Sequence, residues 1–270
     1  MDLSLILIFI LVGALAGTLA GLMGLGGGVL YVPVLIYSLA PSLSPKDVPL
    51  VAVSTSLAVI TVSLLASAYT HYKNGNVHLR PLPGLVFGGT LGAIIASLGL
   101  KGVDAHQFKV LLGLFELFIA IQLIRGARKN EPPAKTSRHS TFAAIGFLGG
   151  LLSAFFGVGG GLVVMPLMHF FAGYPLKRAV GVASIYMILA TIVGLVSHSL
   201  QIQVTSDFPG LWKSFYLPGL FALLPSAFLF NRVGALLVNR VNPTRLKQGF
   251  GFTMLPIAGA NIIIGLLSLL

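Results

Sequence analysis

The sequence predicts an all-α integral membrane protein, built as an inverted-topology repeat of two five-segment halves. Composition is the first reason: 9% of the 270 residues are charged and 56% are hydrophobic, whereas a soluble domain has roughly 25% charged residues. Ten separate apolar runs and a glycine-rich motif that occurs twice are the other two reasons. The composition excludes a soluble or disordered chain, and the absence of cysteine excludes a disulfide scaffold.

The ten apolar runs are candidate membrane segments. They lie at about 4–23, 29–40, 48–70, 82–100, 108–124, 141–156, 162–173, 179–200, 211–230 and 249–270. Eight of them have about 16–23 residues, near the length that crosses a hydrocarbon core of roughly 30 Å. The runs at 29–40 and 162–173 have only 12 residues, or about 18 Å of helix, and each follows a glycine cluster. We therefore expect eight full spans and two short segments, and leave open whether the short ones are re-entrant or full crossings.

The distribution of basic residues predicts which loops face the cytoplasm, because Lys and Arg concentrate in cytoplasmic loops. If the polar segment around 125–138 is inside, alternation places 71–81, 174–178 and 231–248 on the same side. Thirteen of the 17 Lys and Arg residues then lie inside and four lie outside. This bias predicts a multi-pass membrane protein with both termini external. It also accounts for the net charge of +11 without a nucleic-acid partner.

An internal repeat relates the two halves of the chain. Residues 17–39 align with 150–172 at an offset of 133 without a gap, and both contain the pattern GxGGGxxxxP. Two shorter matches follow in the same order, 51–55 with 180–184 and 82–84 with 217–219.

The repeat predicts three parts of the chain. These are a first membrane repeat at 1–125, a cytoplasmic linker at 126–139, and a second repeat at 140–270. Because each half has an odd number of segments, the second half enters the membrane from the opposite side. Many secondary transporters have this architecture and bind substrate near the membrane midplane, where broken helices from the two halves meet.

The two glycine clusters are the strongest candidates for a binding site. Each precedes a short helix, and the N-terminus of a helix offers free N–H groups and a partial positive charge that suit an anion. The scarcity of acidic residues also favours an anion over a cation. The alternative is close packing, since small residues let membrane helices approach each other. The predicted substrate-binding glycines are Gly26, Gly27, Gly28, Gly159, Gly160 and Gly161.

Hydroxyl side chains and prolines accompany both clusters. Thr55, Ser56 and Ser184 lie near the starts of two long runs, where they either donate to an oxyanion or bond back to the preceding turn. Pro33 and Pro166 each follow the last glycine of a cluster by five residues. A proline inside a helix frees a carbonyl and kinks the axis, so both are candidates for a structural kink or for gating.

Two titratable residues inside apolar runs are candidates for proton coupling. Glu116 is an intramembrane acid, a functional candidate by default; its alternative is a structural carboxyl that bonds to a neighbouring helix, with Gln122 as a partner. His169 lies in the second short segment and either titrates or donates to an anion, or is simply packed. The sequence contains no catalytic constellation, metal cluster or cofactor motif, so we expect no catalytic residue, metal or cofactor.

The glycine motifs GLMGLGGGVLYVPVL and GLLSAFFGVGGGLVVMPLM, with AVSTSLAVI and its weaker counterpart GVASIYMIL, resemble the sulfite exporter family (TauE/SafE type), also called the 4-toluene sulfonate uptake permease family. The resemblance extends over nearly the whole chain. It implies a plasma-membrane carrier for sulfur-containing anions such as sulfite, sulfoacetate and other sulfonates. It also implies a site at the six glycines, Thr55 and Ser184. The second hydroxyl motif departs from the first, with Ala183 and Ile185 opposite Ser54 and Ser56.

We therefore expect a secondary transporter that moves a sulfur-containing anion by alternating access, with proton coupling as an option. The expected partners are a small anionic substrate and membrane lipid, and a homo-oligomer is left open. An anion channel on the same scaffold is the alternative, and conductance instead of saturable counterflow would identify it. A membrane-embedded enzyme is disfavoured because no acid–base pair, metal ligand set or nucleophile constellation is present.

Overall fold

A computed structural model describes residues 3–24, 26–126, 138–201, 204, 208–237 and 243–269. Within these ranges the chain forms α1 (Leu3–Met23), α2 (Gly28–Leu39), α3 (Val48–Lys73), α4 (Leu82–Leu100), α5 (Ala105–Gly126), α6 (His139–Phe156), α7 (Gly161–Phe170), α8 (Leu176–Gln201), β1 (Leu211–Trp212), β2 (Phe215–Tyr216), α9 (Leu217–Leu237) and α10 (Pro243–Leu267). Eight of these helices are long and apolar enough to cross a membrane, whereas α2 and α7 are shorter apolar helices. The predicted all-α membrane fold, with eight long and two short segments, is confirmed.

The largest difference from the predicted segments lies at 211–230. The strands β1 and β2 form a small antiparallel hairpin there, and α9 begins only at Leu217. Gly210 and Lys213 have φ of 84° and 55°, which a right-handed helix cannot contain. Pro218 suits the first turn of a helix, because its missing N–H would have no partner there. The helix therefore starts six residues later than its hydrophobicity indicates and extends to Leu237.

Helices from the two halves pack against each other. Helix α1 packs on α9, α4 packs on α6, α5 packs on α10, and α3 contacts both α8 and α9. If α1–α5 are matched in order with α6–α10, the α1–α9 pair corresponds to α6–α4, and the pairs α5–α10 and α3–α8 correspond to themselves. The opposite membrane orientation of the two halves and their exact boundaries remain predictions. Residues 127–137 of the predicted linker lie outside the described residues.

Glycines make the cross-half contacts close. Gly13, Gly17 and Gly21 lie one turn apart on α1, and a Cβ at Gly17 would lie only 2.6 Å from the carbonyl oxygen of Ala227 on α9. On α6, a Cβ at Gly146 would collide with the backbone of α4. Because lipid supplies no hydrophobic force between helices, such pairs depend on close van der Waals packing. Helix α3, which contacts α8 and α9, is the most buried of the eight long helices, with 78% of its most apolar stretch buried.

Loops that are predicted to share a side of the membrane also contact each other. The loop after α3 reaches the start of α8, where a Cβ at Gly181 would lie 2.5 Å from the carbonyl oxygen of Asn76. Burial raises the pKa of the Tyr174 phenol in the loop after α7, while the nearby Arg80 and Arg178 lower it in part. The charges of both loops thus act on one tyrosine, as expected if 71–81 and 174–178 face the same compartment.

Candidate functional site

The two glycine breaks adopt the same unusual backbone conformation. Between α1 and α2, Gly24, Gly26 and Gly27 have φ of 65°, 88° and 75°. Between α6 and α7, the residues at an offset of 133 repeat these values closely, with φ of 68°, 83° and 76° at Gly157, Gly159 and Gly160. Glycine adopts positive φ without a steric penalty. The repeated motif therefore encodes a repeated backbone path rather than only small size.

The two breaks lie directly against each other. A Cβ at Gly28 would collide with the carbonyl oxygen of Gly157, and a Cβ at Gly161 would collide with that of Gly24. A Cβ at Gly26 would lie 2.8 Å from the carbonyl oxygen of Val158. The structure thus brings all the predicted break glycines to one place, which we call the junction and define as residues 26–28 and 157–161.

The junction contains backbone donors without partners. Within the described part of the chain, the N–H groups of Gly27, Gly28, Gly160 and Gly161 have no hydrogen-bond acceptor. These groups belong to the first turns of α2 and α7, where helical geometry offers no partner. A buried N–H without an acceptor is costly. Each of the two helix N-termini at the junction therefore presents two N–H donors without an acceptor among the described residues.

Side chains of the two central helices cover the junction. Ile60 of α3 and Met187 of α8 are both fully buried. A Cβ at Gly159 would lie 3.2 Å from Cγ2 of Ile60 and 3.5 Å from Sδ of Met187. These apolar contacts, together with the burial of the glycines themselves, separate the unpaired N–H groups from bulk water. In this conformation the junction is closed.

The three predicted hydroxyls have different environments. Ser56 Oγ donates to the carbonyl oxygen of Gly157 at 2.7 Å, so it contacts the junction directly. Thr55 Oγ1 donates to the carbonyl of Val51 at 2.7 Å and accepts the N–H of Tyr216 at 3.0 Å, which ties α3 to β2. The two contacts engage the Thr55 hydroxyl as both donor and acceptor.

Ser184 follows the same local pattern as Thr55. Its hydroxyl donates to the carbonyl of Val180 at 2.9 Å, one turn earlier on α8. The structure therefore brings Ser56 to the glycines, while the hydroxyls of Thr55 and Ser184 are engaged with their own helices. The substrate-binding roles of all three remain predictions.

The two prolines lie inside the short helices, as their spacing indicates. Pro33 is in α2 and Pro166 is in α7. Each lacks the N–H that would bond to the carbonyl four residues earlier, which is Val29 in α2 and Leu162 in α7. Both freed carbonyls belong to the residue that directly follows a break. Each first turn thus lacks part of its internal hydrogen bonding, and the gating role of the prolines remains a prediction.

The two titratable candidates are in separate environments. Glu116 is fully buried on α5, and its Oε2 accepts a hydrogen bond from Asn261 Nδ2 of α10 at 2.8 Å. His169 Nδ1 lies 2.8 Å from the carbonyl oxygen of Tyr174. The structure therefore does not join them in one site. The expected Glu116 partner Gln122 is wrong: Asn261 of α10 takes that place, and Gln122, six residues later, is exposed and points about 120° away around the helix.

Two further buried hydroxyls lie near the junction, and the sequence does not single them out. Tyr31 Oη and Ser153 Oγ are buried and have no hydrogen-bond partner among the described residues. A Cβ at Gly27 would lie 2.8 Å from Tyr31 Oη, and a Cβ at Gly160 would lie 3.3 Å from Ser153 Cβ. Tyr31 and Ser153 resemble ordinary members of apolar runs in the sequence. Tyr31 lies three residues after the first break and Ser153 lies four residues before the second. This short spacing is the signal in the sequence that could have identified them.

Taken together, a polytopic helical membrane protein in which two broken helices meet at a buried centre has the architecture of a membrane transport protein. The comparison with known families leads to the same class. Residues 9–261 match the model of the family described as sulfite exporter TauE/SafE. The chain belongs to this family.

Relatives with similar lengths carry the same general name. A probable membrane transporter protein of Haemophilus influenzae is 28% identical over 257 residues, which cover 94% of this chain and 97% of the relative. The probable membrane transporter protein YunE of Bacillus subtilis is 30% identical over 259 residues, covering 88% and 90%. A probable membrane transporter protein of Methanocaldococcus jannaschii is 31% identical over 201 residues, covering 73% of each. All are named as transporters rather than enzymes, so this chain is a multi-pass membrane transporter with a small-molecule substrate.

Proposed function

We propose that the chain is a secondary carrier for a sulfur-containing anion: sulfite, sulfoacetate or another organosulfonate. It works by alternating access in the plasma membrane, with both termini external and with coupling to protons. The observation that supports this proposal is the junction, where two helix N-termini present four N–H groups without acceptors. Oriented N–H groups at a helix N-terminus form an anion site without a charged side chain.

The donors around the junction suit reversible binding. Tyr31 and Ser153 add neutral hydroxyls without partners near the glycines, while the Ser56 hydroxyl donates to the Gly157 carbonyl. The described residues of the junction include no Lys or Arg. Neutral donors bind an oxyanion through several hydrogen bonds of about 1.5–3 kcal/mol each, so no single ion pair has to break at release. The family name and the notable scarcity of acids support an anion of the sulfite type as the substrate.

The closed junction supports a carrier rather than a continuous pore. Ile60 and Met187 cover the glycines, so substrate reaches the N–H groups only after α2 or α7 moves relative to α3 and α8. Such alternation of access between two halves is the mechanism that inverted repeats commonly serve. Proton coupling is assigned to Glu116. An ionised carboxyl inside a membrane span is much more costly than a neutral one, so an acid in this position is a candidate for a functional role.

The test is transport by the purified full-length chain in liposomes. Labelled sulfite and labelled sulfoacetate are the probes, each with an excess of the same unlabelled anion trapped inside. A carrier shows saturable counterflow with either probe, and Glu116→Gln retains counterflow while its pH-gradient-driven uptake falls. Ohmic conductance without counterflow would identify a channel instead. Absence of flux and of calorimetric binding for both anions would refute the assigned substrate class.

A further inference from the structure

A chain of hydrogen bonds connects Glu116 to the first short helix. Tyr37 Oη, near the end of α2, donates to Asn261 Oδ1 at 2.9 Å, and Asn261 Nδ2 donates to Glu116 Oε2 at 2.8 Å. Asn261 and Glu116 are fully buried, and Glu116 Oε1 has no partner within the described residues. These two hydrogen bonds therefore connect three helices: α5, α10 and α2, the short helix that follows the first break.

The order of donors fixes the orientation of the amide. A tyrosine hydroxyl that donates to Asn261 Oδ1 directs the amide oxygen towards α2, and the NH₂ group then points at Glu116. The opposite orientation would place an amide oxygen against a carboxyl oxygen, and both are acceptors. Tyr37 thus acts on Glu116 through Asn261, although it does not contact the carboxyl itself.

The groups that surround these hydrogen bonds leave the Glu116 carboxyl without a counter-charge. Lys109, seven residues before Glu116 on α5, is buried, but its Nζ lies over the Tyr37 ring, 5.3 Å from the centroid. From α6, Phe156 stacks on Phe115 and presents only an apolar ring. In the described ranges, Glu116 has no ion-pair partner from any helix packed against it. Burial without a cation favours the neutral form of a carboxyl, and Oε1 is the carboxyl oxygen that has no partner within the described residues.

The second half lacks the equivalent connection. At an offset of 138, Lys109 and Gly113 align with Lys247 and Gly251, which places Leu123 opposite Asn261. At the offset of 133, Phe170 is opposite Tyr37. Leu123 and Phe170 both line a cavity of about 170 Å³ between α5 and α7. One short helix is therefore tied to the α5–α10 pair by hydrogen bonds, while its counterpart borders a mainly apolar cavity.

We propose that Tyr37 and Asn261 are positioning residues that hold the Glu116 carboxyl and connect its protonation to α2. When α2 moves, Tyr37 releases the amide, water reaches Oε1, and the carboxyl transfers its proton to that water. Reprotonation restores the Asn261 contact and returns α2, and with it Gly27 and Gly28, to the junction. This inference rests on the proposed proton-coupled transport and assigns its control to the first short helix.

Infrared difference spectroscopy of the purified protein tests the positioning without any substrate. The chain has only six acidic residues, so the carbonyl band that disappears in Glu116→Gln identifies a protonated Glu116. In Asn261→Leu this band moves to higher frequency, because the carboxyl loses its hydrogen-bond donor. In Tyr37→Phe the band moves in the same direction by a smaller amount, because Asn261 keeps its contact with the carboxyl but loses the hydrogen bond that orients its amide. Tyr186→Phe is the matched control: it removes a buried tyrosine hydroxyl that donates to the Gly146 carbonyl at 2.7 Å, and it leaves the band in place.

Transport with sulfite or sulfoacetate as the probe tests the coupling. We expect pH-gradient-driven uptake to fall about twofold to tenfold in Tyr37→Phe, the effect of one neutral hydrogen bond, while counterflow is retained. A band that stays in place in Tyr37→Phe, or that Glu116→Gln does not remove, overturns the positioning role. Equal losses of uptake and counterflow overturn the coupling role. If neither probe is transported but the band moves as expected, the substrate assignment fails and the positioning role stands.

Discussion

Substitution of the helical glycines of the junction is the sharpest test of the anion site. In Gly28→Ala, the backbone at residue 28 lies outside the left-handed region, so the methyl group adds no strain of its own. It would nevertheless collide with the carbonyl oxygen of Gly157 and lie 2.7 Å from both Ile60 Cδ1 and Val158 Cα. Since carbon atoms rest about 3.5–4.0 Å apart, the two breaks must separate by roughly 1 Å.

A separation of this size removes at least one well-aligned donor from a shared anion. A hydrogen bond to a charged group contributes about 1.5–3 kcal/mol, so binding should weaken about tenfold to hundredfold. Gly161→Ala should have a similar effect from the other half, because its methyl group would collide with the Gly24 carbonyl and the Met187 sulfur. The assay is calorimetric titration with sulfite and sulfoacetate, alongside the melting temperature of each variant in detergent.

Two control variants separate binding from folding, and a third variant at the junction combines the two effects. Gly259→Ala on α10 places its methyl group where no atom lies within 4 Å, and should be neutral or stabilise by up to about 1 kcal/mol. Gly75 has a φ of 68° and equally open space around it. Gly75→Ala therefore measures backbone strain alone, which should lower stability by about 1–2 kcal/mol. Gly27→Ala combines positive φ with the Tyr31 contact and should lose stability as well as affinity. If Gly28→Ala and Gly161→Ala bind both anions as tightly as Gly259→Ala, the junction is a packing contact and not an anion site.

Four other outcomes follow from the same structure. A cysteine in place of Lys135 should react with an impermeant reagent only after cells are opened, and labelling of intact cells would reverse the assigned topology. Ser56→Ala removes the donor to a junction carbonyl and should lower both stability, by about 1–3 kcal/mol, and anion affinity. Thr55→Val should lower only the melting temperature, because the hairpin amide loses its acceptor, and Thr55→Ser should restore it. Gly13→Ala and Gly146→Ala should destabilise by about 1–3 kcal/mol with unchanged calorimetric affinity, and weakened binding would argue against a pure packing role.

The sequence predicts the backbone part of the site better than its side chains. The recurring glycine motif predicts two breaks that meet, and the structure brings them together at the junction with the same backbone conformation in each. Thr55 and Ser56 are adjacent, and successive residues on a helix point about 100° apart. Sequence alone does not say which of them faces the glycines. The structure places Ser56 there and directs Thr55 to the hairpin.

Long-range polar partners were the least predictable feature. Glu116 stands out as an intramembrane acid, but its partner is Asn261, 145 residues away in the sequence. Nothing within α5 indicates that α10 will pack on it. The start of α9 was missed for a different reason. The residues at 211–216 are apolar enough to continue a span, and the turn at Lys213 requires a positive φ in a non-glycine residue, which composition does not reveal.

The close pairing of α1 with α9 has a consequence for how the chain is made. The end of α9 at Leu237 lies 214 residues after the end of α1 at Met23, and synthesis at about 5–20 residues per second takes roughly 10–40 s to cover that distance. Throughout this interval the glycine stripe of α1 has no backbone to pack against. Helix α1 is therefore made well before α9, its main packing partner, and a chain interrupted before α9 leaves the glycine stripe of α1 without that partner.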